Sequence, residues 1–477
     1  MASPPETFDL IIIGAGVSGI NAAYRVQTEL PHLNYAILEG RDDIGGTWDL
    51  FKYPGVRSDS DLYTYSFSWN PWPHPNPIAE GPLIKEYLKD SIKQHGIDHR
   101  IRYRHKVQSM DWSSKSQQWT LAVDHDGLAR EIKAQFVILG TGYYDYETPR
   151  PATIPGLETF KGRVIHPQFW PQDFDHTNQR IVIVGSGSTA ITLLPNLAKT
   201  AAKVVMVQRS PTYIASSNNS QPVSAAPLRR LVRLFYHLMA FLGVLFYRTF
   251  PTRARNRLLR ATKAQLPPGM EVDPHFSPRY RVWDERLCFA PDGDFFAALR
   301  RGNADVVTGV IRRVTADAVE MEGGERVPAD AIVTATGLNM RLGGDIAMRV
   351  DGRGRPMAAR AVWRGAMLQD VPNLCFLLGY VDMSWTPGVD SAVLVFVRVV
   401  RLMRRCGLGA AVPRLPAAGM PLSEKSVWPL RSTYAAEAQE RLPKYGRAGP
   451  WRPRGNVLLD YVHSRWGDVV AGLQFYA

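Results

Sequence analysis

A chain of 477 residues is too long for one simple core and fits two or three domains, and its apolar and charged fractions are those of a soluble globular protein. The net charge of +13 favours phosphate-bearing cofactors or an anionic membrane surface, whereas nucleic acid is disfavoured because neither zinc-ligand spacing nor an aromatic-basic recognition motif occurs. The three cysteines, Cys288, Cys375 and Cys406, form no C-x-x-C, which argues against a disulfide framework and against dithiol redox chemistry.

The start, Met1 to Glu6, is polar and reads as neither signal nor transit peptide, so a reducing, cytoplasmic setting is expected. Phe8 to Ile13 reads as a buried parallel strand. It empties into Gly14-Ala15-Gly16-Val17-Ser18-Gly19 and then a helical pattern from Ile20. In such a G-x-G-x-x-G loop Gly14 serves the turn, Gly16 lets backbone approach a pyrophosphate, and Gly19 lets helix and strand pack closely. The helix N-terminus offers free N–H groups to the phosphates. A second strand, Tyr35 to Leu38, ends at Glu39, whose carboxylate can accept hydrogen bonds from both ribose hydroxyls. Strand, glycines, helix, strand and acid together predict a Rossmann-like dinucleotide site.

Next come Gly45-Gly46-Thr47-Trp48 and Tyr53-Pro54-Gly55-Val56-Arg57-Ser58-Asp59. The glycines permit close backbone contact, Trp48 offers an aromatic wall, and Arg57 with Asp59 would put a charged pair near a flavin ring. These residues resemble the G-G-x-W-x-x-x-x-[FY]-P-G-x-x-x-D signature of Baeyer–Villiger monooxygenases, which use FAD and NADPH to insert oxygen beside a ketone. The resemblance implies that Thr47, Trp48, Asp59 and Tyr65 contact FAD and that Arg57, Ser58 and Asp59 also face the nicotinamide. It further implies that Val107 offers backbone hydrogen bonds to the adenine, and that Gly14, Gly16, Ser18, Gly19 and Glu39 bind the same dinucleotide. Trp69 and Trp72 read as core packing before substrate wall. Phe136 to Leu139 with Gly140-Thr141-Gly142 form another strand and turn, and Pro149, Pro151 and Pro155 mark a linker.

Phe160-x-Gly162 through His166 to Trp170-Pro171 resembles the same family's F-x-G-x-x-x-H-x-x-x-W-P fingerprint. It lies between two glycine-rich loops, where His166 and Trp170 could couple the motions of two domains. Arg180 to Val184 then repeats the buried-strand pattern and opens Gly185-Ser186-Gly187-Ser188-Thr189-Ala190, with Ala in place of the third glycine. The following strand, Val204 to Val207, ends in Gln208-Arg209 where an NAD site would carry an acid. A carboxylate there would repel the extra phosphate of NADP, whereas a guanidinium binds it bidentately, so NADPH is the expected reductant.

Leu231 to Tyr247 is strongly apolar but interrupted by Arg233 and His237, and arginines flank it. The uninterrupted part falls short of the about 20 residues a spanning helix needs. The favoured reading of 228–263 is a buried helical insert, with peripheral membrane contact as a route for apolar substrates. Trp283-Asp284-Glu285-Arg286-Leu287-Cys288 and Pro291 to Phe296 resemble the ethionamide-activating branch of the family, as do Gly46 to Phe51 and Gln208 to Ile214. Arg286 aligns with the family's mobile active-site arginine. Asp330 to Gly337 looks like a strand and turn returning to the first domain, Leu374 to Tyr380 is a further buried strand, and Val381 to Val389 is expected near the flavin ring. The tail follows the Ala/Pro/Gly-rich run Gly407 to Pro421, and cover for the substrate cavity is one role open to it.

The expected fold is α/β, two Rossmann-like dinucleotide-binding domains with a helical insert, discontinuous in sequence. An FAD-binding part spans 1–148, an NADP-binding part 149–214, the insert 215–285, a second NADP part 286–337, and the FAD return with the tail 338–477. The resemblance implies a monooxygenase in which NADPH and O2 yield a C4a-peroxyflavin that oxygenates an apolar ketone to an ester or lactone. Arg286 would stabilise negative oxygen and Asp59 would orient it, and no metal is expected. A flavin-containing S- or N-oxygenase is the neighbouring alternative, and a non-catalytic flavin-binding protein the alternative from another class.

Overall fold

The structure, a computed structural model, describes residues 5–220, 226–358, 360–416 and 419–477. The polar start Met1–Pro4, part of the insert (221–225) and part of the Gly407–Pro421 run (417–418) lie outside the described residues. The first sheet is built on β1 (Glu6–Ile13), followed by α1 (Val17–Glu29) and β2 (Tyr35–Leu38). β1 pairs in parallel with β2, Leu10 opposite Tyr35, because its isoleucines are buried on both faces and a crossover helix can cover one of them. The antiparallel run β3 (His105–Ser113), β4 (Gln118–His125) and β5 (Leu128–Leu139) joins it, β5 running parallel to β1 with Leu10 opposite Phe136. Leu374–Phe376, shorter than the strand expected there, pairs with β5 and closes the chain's return to this sheet.

The second sheet is wholly parallel and has five strands. Four of them, in chain order, are β6 (Arg163–Ile165), β7 (Arg180–Val184), β8 (Lys203–Gln208) and β9 (Ala304–Thr308), with α2 (Ser188–Leu197) crossing from β7 to β8. The fifth, β10 (Ala331–Thr334), lies between β6 and β7. The two Rossmann-like units expected from the glycine loops are therefore present. The segment from Phe160 to Pro171 contributes the edge strand β6. Its Trp170 is buried in the apolar cluster where Phe51, Tyr53 and Val56 pack on this sheet.

The insert corrects the sequence reading. Helix α3 (Arg229–Thr249) forms and is followed by α4 (Pro251–Lys263), yet no residue of α3 is buried. Arg233 and His237, read as interruptions of an apolar stretch, sit on its inward side. Arg233 donates to the carbonyls of Tyr63 (2.7 Å) and Ser66 (2.8 Å), and the Nδ1 of His237 is shielded from solvent. Leu231, Leu234, Phe235, Leu238, Leu242 and Leu245 point outward instead, because the 3.6-residue period separates them from the anchoring face.

α5 (Trp385–Cys406) packs on α1 through a buried ion pair. Asp390 accepts from Arg25 Nε (2.7 Å) and Nη2 (2.8 Å), and from Asn21 and Ser68. The two side chains are 10% and 9% exposed, so removing one leaves an uncompensated charge inside the protein. Asp390→Ala should cost about 3–5 kcal/mol, seen as a lower urea midpoint, and Asp390→Asn distinctly less because an acceptor is kept.

Candidate active site

Both glycine loops deliver an uncapped helix N-terminus. α1 begins after Gly16 and α2 after Gly187, and neither has a side-chain cap, so their first-turn N–H groups are free for an anion. Close approach explains the glycines. A Cβ on Gly19 would lie 1.8 Å from the Gly14 carbonyl oxygen. Gly185 adopts φ +130°, and a Cβ there would meet the Ala335 oxygen at 2.2 Å. Ala190 in place of a third glycine is buried without strain on α2.

One cavity of about 1080 Å³ runs between the two units. Its walls bring together most of the expected residues. From the first loop and its strand come Gly14, Gly16, Ser18 and Glu39, and from the 45–65 segment Thr47, Trp48, Arg57, Ser58, Asp59 and Tyr65. Val107 also lines it, as do Ser188, Thr189 and Arg286. Gly19 packs behind the wall. Gly185, Ser186, Gly187, Gln208, Arg209, His166 and Trp170 do not line this cavity.

Glu39 sits at the nucleotide end. Its Oε2 accepts from the Ala15 N–H (2.7 Å) and its Oε1 from the Arg41 N–H (3.0 Å). Burial pushes this carboxyl above its ordinary range, and the two backbone N–H groups pull it back. Each oxygen still has a lone pair for a ribose hydroxyl. Bare glycine backbone at Gly16 and Gly46, facing each other so that a Cβ on Gly16 would touch the Gly46 Cα at 3.6 Å, leaves a cradle of the kind a pyrophosphate requires. The residues present therefore fit a flavin dinucleotide. Trp48 and Tyr65 meet edge to face, the indole N–H donating to the phenol oxygen at 2.8 Å, and Trp385 fixes Ser18 by a 2.9 Å hydrogen bond.

At the centre, Arg286 Nη1 donates to Asp59 Oδ2 at 2.9 Å and Nη2 to the Tyr143 hydroxyl at 3.3 Å. The indole of Trp428, from the C-terminal part, lies 5.9 Å from the guanidinium carbon. Burial opposes the charge of Arg286, but the facing Tyr143 oxygen and the Asp59 carboxylate more than offset it, so the guanidinium is held well above the ordinary arginine range. Its Nε is buried without a partner, a donor left over beside the cavity. Arg57 is not paired with Asp59. Its guanidinium grips both oxygens of Asp294 instead.

Tyr143, Tyr144, Trp428 and Asp294 were missed by sequence reasoning. Only Asp294 lay in a segment that had been singled out, and nothing there signalled that Arg57 would be its partner. Trp69 and Trp72 are core residues, Trp69 stacked between Tyr24 and Phe67 and Trp72 1% exposed.

On the other side, Gln208 is buried and donates to the His275 carbonyl (2.7 Å) and the Thr308 hydroxyl (2.9 Å). Arg209 is exposed and donates to the Thr433 hydroxyl at 3.2 Å, while Ser186 caps the Ser210 carbonyl at 2.9 Å. His166 takes a 3.3 Å bond from the Gln168 N–H, and burial holds its imidazole below the ordinary histidine range. Trp170 is buried in its apolar cluster, and the Nε2 of His166 is buried without a partner among the described residues.

Two helix N-termini and one ion pair opening on a shared cavity define a two-dinucleotide oxidoreductase. A flavin-binding monooxygenase-like family profile matches residues 8–259. The FAD-containing monooxygenase EthA of Mycolicibacterium smegmatis is 40% identical over 473 residues, covering 97% of this chain and 96% of that one. Among solved structures, an oxidised steroid monooxygenase bound to NADP superposes with a TM-score of 0.76 at 18% identity, covering 98% and 99% of the two chains. A cyclohexanone-bound cyclohexanone monooxygenase gives 0.75 at 20%, covering 99% and 100%. These two likenesses are of fold. The chain belongs to the flavin-binding monooxygenase-like family and is an FAD- and NADPH-dependent monooxygenase.

Glu39→Ala removes the acceptor of two backbone N–H groups at the first glycine loop, together with the lone pairs open to a ribose hydroxyl. Purified Glu39→Ala protein should carry flavin at least about tenfold more weakly, from lost charge-assisted bonds of about 1.5–3 kcal/mol, measured by flavin absorbance per polypeptide after gel filtration.

Proposed function

We propose that this protein oxygenates an apolar ketone to an ester or lactone, with Arg286 as the catalytic cation and Asp59 as its positioning partner. The observation that carries the proposal is the Arg286 guanidinium held at 2.9 Å by Asp59 in the wall of a cavity that the first glycine loop and the start of α2 also line. When bound, FAD and NADPH supply the electrons and the site at which O2 is activated. The chain's own contribution is charge, orientation and dryness.

A fixed cation about 4 Å from negative oxygen favours it by roughly 1–4 kcal/mol, depending on screening. Arg286 stays protonated throughout the working pH range, so it donates without needing to titrate. Its bond to Asp59 leaves part of the Nη donors for the reacting oxygen, and the Tyr143 hydroxyl, itself bonded to Tyr144, gives the head group a second hold. Trp385, Met239 and Leu287 give the cavity apolar walls that limit water. Arg209, exposed at the end of β8, supports preference for the phosphorylated nicotinamide cofactor, with Ser188 and Thr189 at the N-terminus of α2 taking the pyrophosphate. His166 and Trp170 then serve as the joint between the two units.

Arg286→Ala should keep its flavin and its reduction by NADPH but lose ketone oxygenation by roughly a hundredfold or more. The test is product analysis under labelled oxygen with a panel of ketones and sulfides. Label in a carbon chain, lost in Arg286→Ala, is the expected result, and label only in sulfoxides would replace carbon insertion by heteroatom oxygenation. Arg209→Ala should raise the KM for NADPH by about tenfold while leaving that for NADH nearly unchanged, read from initial rates with each reductant.

A further inference from the structure

The two faces of α3 do different work. Its inward face carries Tyr236, Ala240, Gly243, Val244 and Tyr247 into the wall of the cavity. It is pinned there by Arg233, by the Tyr63–Tyr236 ring contact at 4.7 Å and, at its end, by the Arg248–Asp382 ion pair. Its outward face is an unbroken apolar stripe, with Leu231 62% exposed, Leu234 59%, Phe235 57% and Leu245 50%. A stripe of that length on a monomer surface in water marks an interaction site.

The surrounding charge says with what. Residues 229–263 hold nine arginines and lysines and no acid, and no acid occurs anywhere between Asp175 and Glu271. Arg230, Arg253, Arg257, Arg260 and Lys263 are exposed and form no ion pair among the described residues. A second copy of the chain seated on this face would bring two such clusters together, which repulsion opposes. An anionic lipid surface complements both features, taking leucines among the acyl chains and arginines among the phosphates. At 21 residues the helix is about 30 Å long, but its inward face is committed to the protein, so it lies along a membrane and does not cross it.

We propose that α3 and α4 dock this protein on an anionic phospholipid bilayer, and that the roof made by α3 is where bilayer-dissolved substrates enter the cavity. Docking stands independently of the oxygenation reading, whereas substrate entry rests on it. The ligand class that follows is a long-chain or polycyclic ketone that partitions into lipid. Gly243 sits in the roof with open space where a Cβ would be, which leaves room for such a molecule beside the helix.

The test is co-sedimentation of the flavin-loaded full chain with vesicles of phosphatidylcholine alone or mixed with phosphatidylglycerol. The expected result is binding at least tenfold stronger to the mixed vesicles and weakened by salt. The variant Leu234→Ser/Leu238→Ser/Leu242→Ser should lose that binding at least tenfold while oxidising NADPH normally with a water-soluble ketone. Failure of the wild type to bind mixed vesicles, equal binding by the variant, or a vesicle-free dimer that the variant dissociates would each overturn docking. Because sedimentation needs no turnover, these outcomes do not depend on what the enzyme oxygenates. Gly243→Phe should bind vesicles as the wild type does but raise the KM for a bilayer-partitioned ketone more than that for a water-soluble one; a KM unchanged, or raised equally for both, would overturn entry through the roof.

Discussion

The proposed reaction needs a guanidinium kept charged at the cavity wall, and the ion pair between Arg286 and Asp59 holds one there. The pair spans 227 positions of sequence and joins the loop after the first nucleotide motif to the segment that follows the insert. Around it stand Tyr143 from the turn after β5 and Trp428 from the C-terminal part. Four distant stretches of chain therefore meet at one guanidinium. With about a quarter of its side chain exposed, Arg286 still has access to the cavity, and with a carboxylate on one side and an indole on another it has few directions in which to move.

The insert shows how one helix can belong to two environments. In water an amphipathic helix turns its apolar stripe to the core and its polar residues outward. α3 has apolar residues on both sides, and Arg233, in its second turn, points inward to backbone carbonyls. Burial lowers the affinity of Arg233 for its proton, Tyr87 and the Asp390 and Asp61 carboxylates oppose that in part, and the head group is held by two carbonyls and the Ser66 hydroxyl. Such an anchor makes sense where the outer face cannot supply polarity of its own.

Legibility in the sequence followed locality. Gly14, Gly16, Gly19 and Glu39 belong to one continuous strand-helix-strand unit whose spacing carries its own geometry, and the structure sets Glu39 against the Ala15 N–H accordingly. Asp59 and Arg286 were legible only through motif resemblance, since no local pattern says that two residues so far apart will touch. Asp294 as the partner of Arg57, and Trp428 as a neighbour of Arg286, depend on how the two sheets and the tail dock, which periodicity does not encode. The insert was misread for another reason. Arg233 and His237 were counted as breaks in a linear run, when their helical phase placed them opposite Leu231, Leu234 and Leu238. That signal was present in the sequence and was overridden by the general expectation that apolar residues are buried.

The two acid–base pairs at the site are crossed, and the crossing constrains motion. Arg57 and Asp59 stand two residues apart on one loop, and each reaches a different partner, Asp294 at the start of a helix and Arg286 eight residues before it. Had Arg57 and Asp59 paired with each other, the loop would be satisfied internally and the second unit free to slide past it. Pairing outward instead ties the flavin-side loop to the 286–294 segment at two points. Ser188, whose hydroxyl lies 3.5 Å from Asp59 at the N-terminus of α2, adds a third. A rotation of the second unit that kept these bonds would have to pivot near the loop, and Trp170, buried against Phe51 and Tyr53 in the same cluster, packs at that pivot. The segment from Phe51 to Asp59 thus meets the second unit twice, through apolar packing on Trp170 and through the ion pair with Arg286.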